Sequence, residues 1–215
     1  MTRPYPDYSF NERLADGIVH VVGLVFGITA LTILLFYTVY DHPSFTTMMV
    51  LVYGVAMVLM FACSAAYHMV PVLGLKELLR RVDQSAIFLK IAGTYTPFAA
   101  LKLGGFWGYG LLGTVWAVAF FGIGLLILQA RQTNLMVFLY LALGWLGILV
   151  VWPLFASLSS AVLTLIVTGG VLYSAGTIFH AWHSLPFSNA IWHVFVLAAT
   201  VCHYFAVFVS VVIDR

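Results

Sequence analysis

The chain has 215 residues, 63% of them apolar and only 7% charged, with a net charge of +2. A water-covered domain needs roughly a quarter of its residues charged, so this composition excludes a soluble surface and requires a bilayer. The charge balance is too small to argue for nucleic acid. Cys63 and Cys202 both fall inside apolar runs, which suggests neither a disulfide framework nor a cysteine metal site.

Segments of roughly 20 apolar residues, enough to cross a membrane as helix, follow one another along the chain. They lie near 17–39, 46–69, 82–101, 106–127, 133–151, 160–182 and 190–213. The pattern predicts an all-α membrane protein, a single domain of seven transmembrane helices over 1–215, since no linker is long enough for a second one. The first run follows Arg3, Asp7, Glu12, Arg13 and Asp16 and shows no small-residue cleavage signal, so it reads as a retained span. Gly23 and Gly27 form a small-xxx-small pair, a cue for close helix packing. The turn "YDHPS" carries His42. The second run ends in "CSAAYHM", where Ser64 and His68 are spaced i, i+4 and share a helix face.

The piece "PVLGLKELLRR" joins the second run to the third, which opens at Asp83, either a helix N-cap or a site residue. Pro97 is expected to kink or end the third helix. His180 and His183 close the sixth run and fit an interface. The seventh opens with Ser188 and Asn189, either of which can cap it, and Asn189 and His193 repeat the i, i+4 spacing. Trp192 suits an interfacial belt. His203 lies ten residues beyond His193, about 15 Å deeper along a helix, too far to share a metal with it. It reads as a hydrogen-bonded group inside the bundle.

Lysine and arginine collect on cytoplasmic loops. With seven spans, one side holds Arg3, Arg13, Lys76, Arg80, Arg81 and Arg131, against Lys102 and Arg215 on the other, while Lys90 falls within the third span. The N-terminus is therefore expected inside and the C-terminus outside. That orientation puts His20, His68, His180, His183 and His193 in one cytoplasmic layer with Glu12, Asp16, Ser64, Asp83 and Asn189. Ionisable groups converging at one depth mark a buried site, because each is costly facing lipid. The bland alternatives are a solvated first helical turn for Glu12 and Asp16, and interfacial water for His68. Imidazoles with a carboxylate suit a metal that keeps one position for water. From the residues, His68 and His193 pair as ligands, with Asp83 as ligand or general base and Ser64 behind them.

The stretches "ERLADGIVHVVG" at 12–23, "SAAYH" at 64–68, "DQSAIFLKIAGTYTP" at 83–97 and "AIWHVFVLAATVCHYFAV" at 190–207 resemble the bacterial hemolysin III family. That family belongs with the progestin and adipoQ receptors, including the adiponectin receptors, and more distantly with alkaline ceramidases. The resemblance covers essentially the whole chain. It implies a seven-helix bundle in the bacterial inner membrane with zinc near the cytoplasmic face, bound through an S-x3-H and an H-x3-H motif, and an aspartate contacting the metal-bound water. Ser64 and His68 match the first motif, Asp83 the aspartate, and His193 the second histidine of the last motif. Asn189 occupies the place of its first histidine, and an amide oxygen is a poorer zinc ligand than imidazole. His20 matches a first-span histidine of the family, and Asp16 and His20 are expected behind the ligands.

Three functions follow as expectations. One is a zinc-dependent hydrolase of a membrane lipid amide or ester, with Asp83 as base and Ser64 steadying the oxyanion. The second is a receptor-like or membrane-homeostasis protein with a structural metal. The third is the pore or cytolysin of the family name, disfavoured because the outer half of the spans is nearly all Leu, Val, Phe and Ala.

Overall fold

A computed structural model describes residues 9–40, 43–128, 134–182 and 184–214, and these are helices joined by short turns, with no strand among them. Helix α1 runs Phe10–Val39, α2 Ser44–Met69, α3 Leu73–Pro97, α4 Gly105–Leu128, α5 Asn134–Gly144, α6 Val151–Ser157, α7 Ser160–Ala181 and α8 Ser188–Phe208. Six segments are long and apolar enough to cross a membrane, α5 and α6 counting as one interrupted segment over Leu135–Ser157. The seventh long helix, α3, carries Lys76, Glu77, Arg80, Arg81, Asp83 and Lys90. His42, His183, Arg3, Arg131 and Arg215 lie outside the described residues.

The α1 start is a capping box: the Glu12 N–H donates to Ser9 Oγ at 3.3 Å and the Ser9 N–H to Glu12 Oε2 at 2.8 Å. Residues 73–81, expected as a connector, are instead the first turns of α3. "LKELLRR" consists of strong helix formers, and Glu77 bonds Arg80 at 2.8 Å and Arg81 at 3.0 Å, pairs spaced i, i+3 and i, i+4. The Arg80 hydrogen bond holds the Glu77 carboxyl below its ordinary range. Asp83 is therefore a mid-helix residue and not a cap. Neither Ser188 nor Asn189 caps α8 either; its N-cap is Phe187, in the left-handed region at φ 60°.

Pro97 ends α3 as its sequence suggests. Without an N–H it cannot continue the ladder, and the chain passes into a π-helical turn, Phe98–Leu103. Neighbouring helices close a ring: α1 packs on α2 and α8, α2 on α3, α3 on α4 and α5, and α7 on α5 and α8. Gly23 and Gly27 serve this packing by receiving an aromatic ring, since a Cβ on Gly23 would stand 2.7 Å from the Phe61 side chain. Ile18, Val25, Phe120 and Phe121 are exposed, the expected face toward lipid.

Candidate metal centre

The polar face of α1 meets α2 and α8 at the end of the bundle that carries Arg13, Lys76 and Arg80. Asp16 and His20 come from α1, Ser64 and His68 from α2, and Asn189 and His193 from α8. The i, i+4 spacing in each helix turns both members inward together. The rings of His20 and His193 lie 4.4 Å apart between centroids, His68 and His193 4.7 Å, and His20 and His68 5.2 Å.

Asp16 is the hub. Its Oδ1 lies 2.6 Å from His193 Nδ1, and its Oδ2 accepts from the Asn189 amide at 3.0 Å and stands 3.5 Å from His68 Nδ1. A carboxylate accepts, so the His193 proton sits on Nδ1 and Nε2 keeps its lone pair. The same logic fixes His20: its Nδ1 donates to the Asp16 backbone carbonyl at 2.7 Å, leaving Nε2 to accept the Ser64 hydroxyl at 3.1 Å. Asn189 Nδ2 also lies 3.1 Å from His68 Nδ1, which therefore accepts and whose lone pair the amide occupies.

Among the described residues, His20, His68 and His193 form a group able to hold a metal, one nitrogen from each lying within 4.8 Å of the others. The donor set fits. Metal-bound imidazoles are neutral and commonly donate their other N–H to a carboxylate or backbone carbonyl, the arrangement that Asp16 gives His193 and His20. Three imidazoles also leave a fourth tetrahedral position open. The structure thus sets His20 level with His68 and His193. Asp83 stands outside the group, with its carboxyl beside the Ser64 hydroxyl, and Asn189 engages Asp16 and His68 through its amide nitrogen.

Glu12, at the same end, accepts from the Phe187 N–H at 3.0 Å and so ties α1 to the start of α8. His180 lies with its ring 5.3 Å from that of Trp192. His203 lies deeper, with Nε2 3.3 Å from the Ile166 carbonyl oxygen, the hydrogen-bonded role expected of it. The bridging of two histidines by Asp16 was weakly signalled, by the i, i+4 step to His20 alone.

A cavity of about 1140 Å³ opens directly from this cluster and extends between the helices past Lys90 to His203. That is larger than the roughly 300–1,000 Å³ usual for small-molecule sites, and most of its wall is aliphatic or aromatic.

Comparison with known proteins agrees in extent. The family described as haemolysin-III related matches residues 8–204. The chain is 40% identical over 206 residues to the hemolysin-3 homolog of Bacillus subtilis, covering 93% of this chain and 94% of that protein. It is 37% identical over 198 residues to hemolysin-3 of Bacillus cereus, covering 92% and 90%. A weaker likeness, 28% over 165 residues, covers 73% of this chain and 67% of the human monocyte to macrophage differentiation factor. No solved structure matches the chain.

Proposed function

We propose, from the premise that the chain belongs to the haemolysin-III related family of multi-pass membrane proteins, that it holds zinc between His20, His68 and His193 and hydrolyses an amide or ester bond of a membrane lipid. One observation carries this reading: three imidazoles, those of His20 and His193 buried and that of His68 partly so, stand together on the wall of a large apolar cavity. A zinc ion there would supply a Lewis acid for the carbonyl and lower the pKa of its water toward 7.

The chain's own residues divide the remaining work. Asp16 holds His193 and orients the Asn189 amide. Asp83, on the cavity wall beside Ser64, takes a proton from the attacking water and returns it to the departing amine or alkoxide, so that water and the lipid yield a fatty acid and the free headgroup base or alcohol. The Ser64 hydroxyl donates to His20 Nε2 at 3.1 Å. Once that nitrogen's lone pair is used elsewhere, the O–H is free to donate to the developing oxyanion.

Arg13, Lys76, Arg80 and Arg81 lie toward the cluster's end of the bundle, and Lys102 toward the other, where its Nζ donates to the Asp214 carbonyl. This supports a cytoplasmic N-terminus in the bacterial inner membrane. A reporter fused after Arg215 should behave as external and a Lys76→Cys variant should be labelled from the cytoplasm; a cytoplasmic reporter overturns the orientation.

The decisive experiment combines metal analysis with turnover. Purified protein should contain one zinc per chain and release fatty acid from a long-chain N-acyl amide or acyl ester in mixed micelles. Chelation should stop release and zinc restore it. One zinc per chain without release from either substrate would favour the structural-metal reading, and absence of zinc after growth in zinc would refute the metal site.

A further inference from the structure

Helix α3 presents two faces. Arg80, Asp83, Gln84 and Ile87 turn to the large cavity, whereas Leu78, Arg81, Val82, Ser85 and Leu89 line a separate groove on the outer wall of the bundle. Their three- and four-residue spacing puts this second set on one side of the helix. Leu59 and Cys63 of α2 and Ile127 of α4 complete the wall, and Ala86, buried, lies at its floor. The groove has a volume of about 390 Å³. Leu59, Val82 and Ile127 are exposed, so it opens on the flank that faces lipid.

Two polar groups interrupt this apolar wall, and both have capacity to spare. Arg81 Nε donates to Glu77 Oε1 at 3.0 Å and Nη1 to the Ile127 carbonyl at 3.2 Å. A guanidinium has five N–H donors, so three remain, on a side chain that is 31% exposed. Glu77 neutralises it only in part, because the same carboxylate takes Arg80 Nη2 at 2.8 Å and Nε at 3.1 Å. Ser85 lies four residues further on, about 6 Å deeper along the helix. Hydroxyls elsewhere in the bundle bond the carbonyl four residues back, as Thr32, Thr94 and Thr114 do. The half-buried Ser85 hydroxyl forms no hydrogen bond among the described residues.

We propose that this groove holds one anionic phospholipid of the adjoining leaflet, with its phosphate on Arg81, a glycerol ester carbonyl at the Ser85 hydroxyl and an acyl chain along Ala86, Leu89 and Leu59. The order of groups down the groove is the order of groups in such a lipid: cation, then hydroxyl, then hydrocarbon. A planar guanidinium fork matches two phosphate oxygens. The headgroup is anionic because a choline or ethanolamine ammonium would meet two arginines and a carboxylate whose oxygens they already occupy. Free phosphate would gain nothing from the apolar part of the site. The groove lies on the far side of α3 from the large cavity, and the proposal rests on neither the metal nor the hydrolase reading.

The test is native mass spectrometry of the purified full-length protein in detergent, titrated with dioleoyl phosphatidylglycerol or dioleoyl phosphatidylcholine. One phosphatidylglycerol should bind per chain, about fivefold more tightly than phosphatidylcholine, the factor for one basic residue near a charged headgroup. Arg81→Gln should weaken phosphatidylglycerol by at least about tenfold, the factor for one charged hydrogen bond, and remove the preference. Arg13→Gln deletes the same charge at the same end of the bundle, on α1, and should change nothing. Ser85→Leu, which removes the hydroxyl and fills the groove, should weaken both lipids, and it decides the matter should Arg81→Gln fail to fold. Excess glycerol 3-phosphate should leave the bound lipid in place. Equal affinity for the two lipids, unaltered binding in Arg81→Gln or Ser85→Leu, or an equal loss in Arg13→Gln overturns the proposal. Displacement by glycerol 3-phosphate also overturns it, by showing a site for free phosphate.

Discussion

The two polar centres of this bundle differ in how completely their groups are partnered. Around Asp16 the carboxylate takes both the His193 ring and the Asn189 amide, tying α1 to α8, and the same amide carries the link on to His68 of α2. Around Lys90 the groups are fewer, drawn from α3 and α8, and left with unfilled hydrogen-bonding capacity. In a low-dielectric interior a satisfied network holds one geometry, whereas an unsatisfied group is costly until something meets it. The first centre holds its own residues still, and the second leaves part of its hydrogen-bonding capacity unused.

The sharpest way to break this comparison is to remove an imidazole. His193→Ala and His68→Ala should each lower zinc affinity by more than about 100-fold, beyond the 10–100-fold attributed to residues that only support a ligand. Competition with a chelator measures this, and His180→Ala should leave affinity unchanged. Equal affinity in all three variants would show that the cluster holds no metal. Asp16→Asn should come next, with a loss of about 10–100-fold, because the amide can keep the contact but not the charge that holds His193 Nδ1–H. A wild-type affinity there would make Asp16 a spectator.

Asn189→His should tighten zinc by on the order of tenfold, about 1.4 kcal/mol. It adds an imidazole four residues before His193 and removes the amide that occupies the His68 lone pair. Combining it with His68→Ala should abolish the gain; an unchanged affinity in the folded single variant would mean that residue 189 does not face the metal. The smallest effect belongs to the deeper centre. Lys90→Met should raise the unfolding free energy of the protein in detergent by about 1 kcal/mol, since a buried amine with unfilled donor capacity is replaced by an apolar chain of similar length. Destabilisation by that amount would mean that Lys90 is fully partnered and that the contrast between the centres is false.

The helices and the charged-end cluster were legible because both rest on spacing. Apolar runs set the helices, and i, i+4 pairs in α1, α2 and α8 set which residues turn inward together. Sequence depth alone placed Asp83 in the same layer as the histidines, but it could not assign rotations about helix axes, so Asp83 turned out beside Ser64 and His20 level with His68 and His193. Residues 73–81 were hidden by their charge: a wet amphipathic turn has the composition of a loop, and only the Glu77–Arg80–Arg81 spacing betrays helix. Lys90 stood out as a lysine in an apolar stretch, yet nothing local shows that His203, 113 positions later, shares its cavity.

The interruption between α5 and α6 gives the membrane segment a joint. At Gly144–Gly147 the regular ladder is broken, and the Tyr95 hydroxyl of α3 donates to the Gly144 carbonyl at 2.7 Å while accepting from the Gly147 N–H at 2.9 Å. One phenol therefore fastens both sides of the gap, where lipid offers no water to do so. Mechanically, the segment behaves as two stiff rods joined by a latch, and the latch is owned by a different helix. Bending there needs α3 to release its grip, so the compliance of this wall is set by a single oxygen. Hydrogen exchange at the Gly147 amide reads that compliance directly, and in Tyr95→Phe it should rise well above that of the amides in the middle of α5.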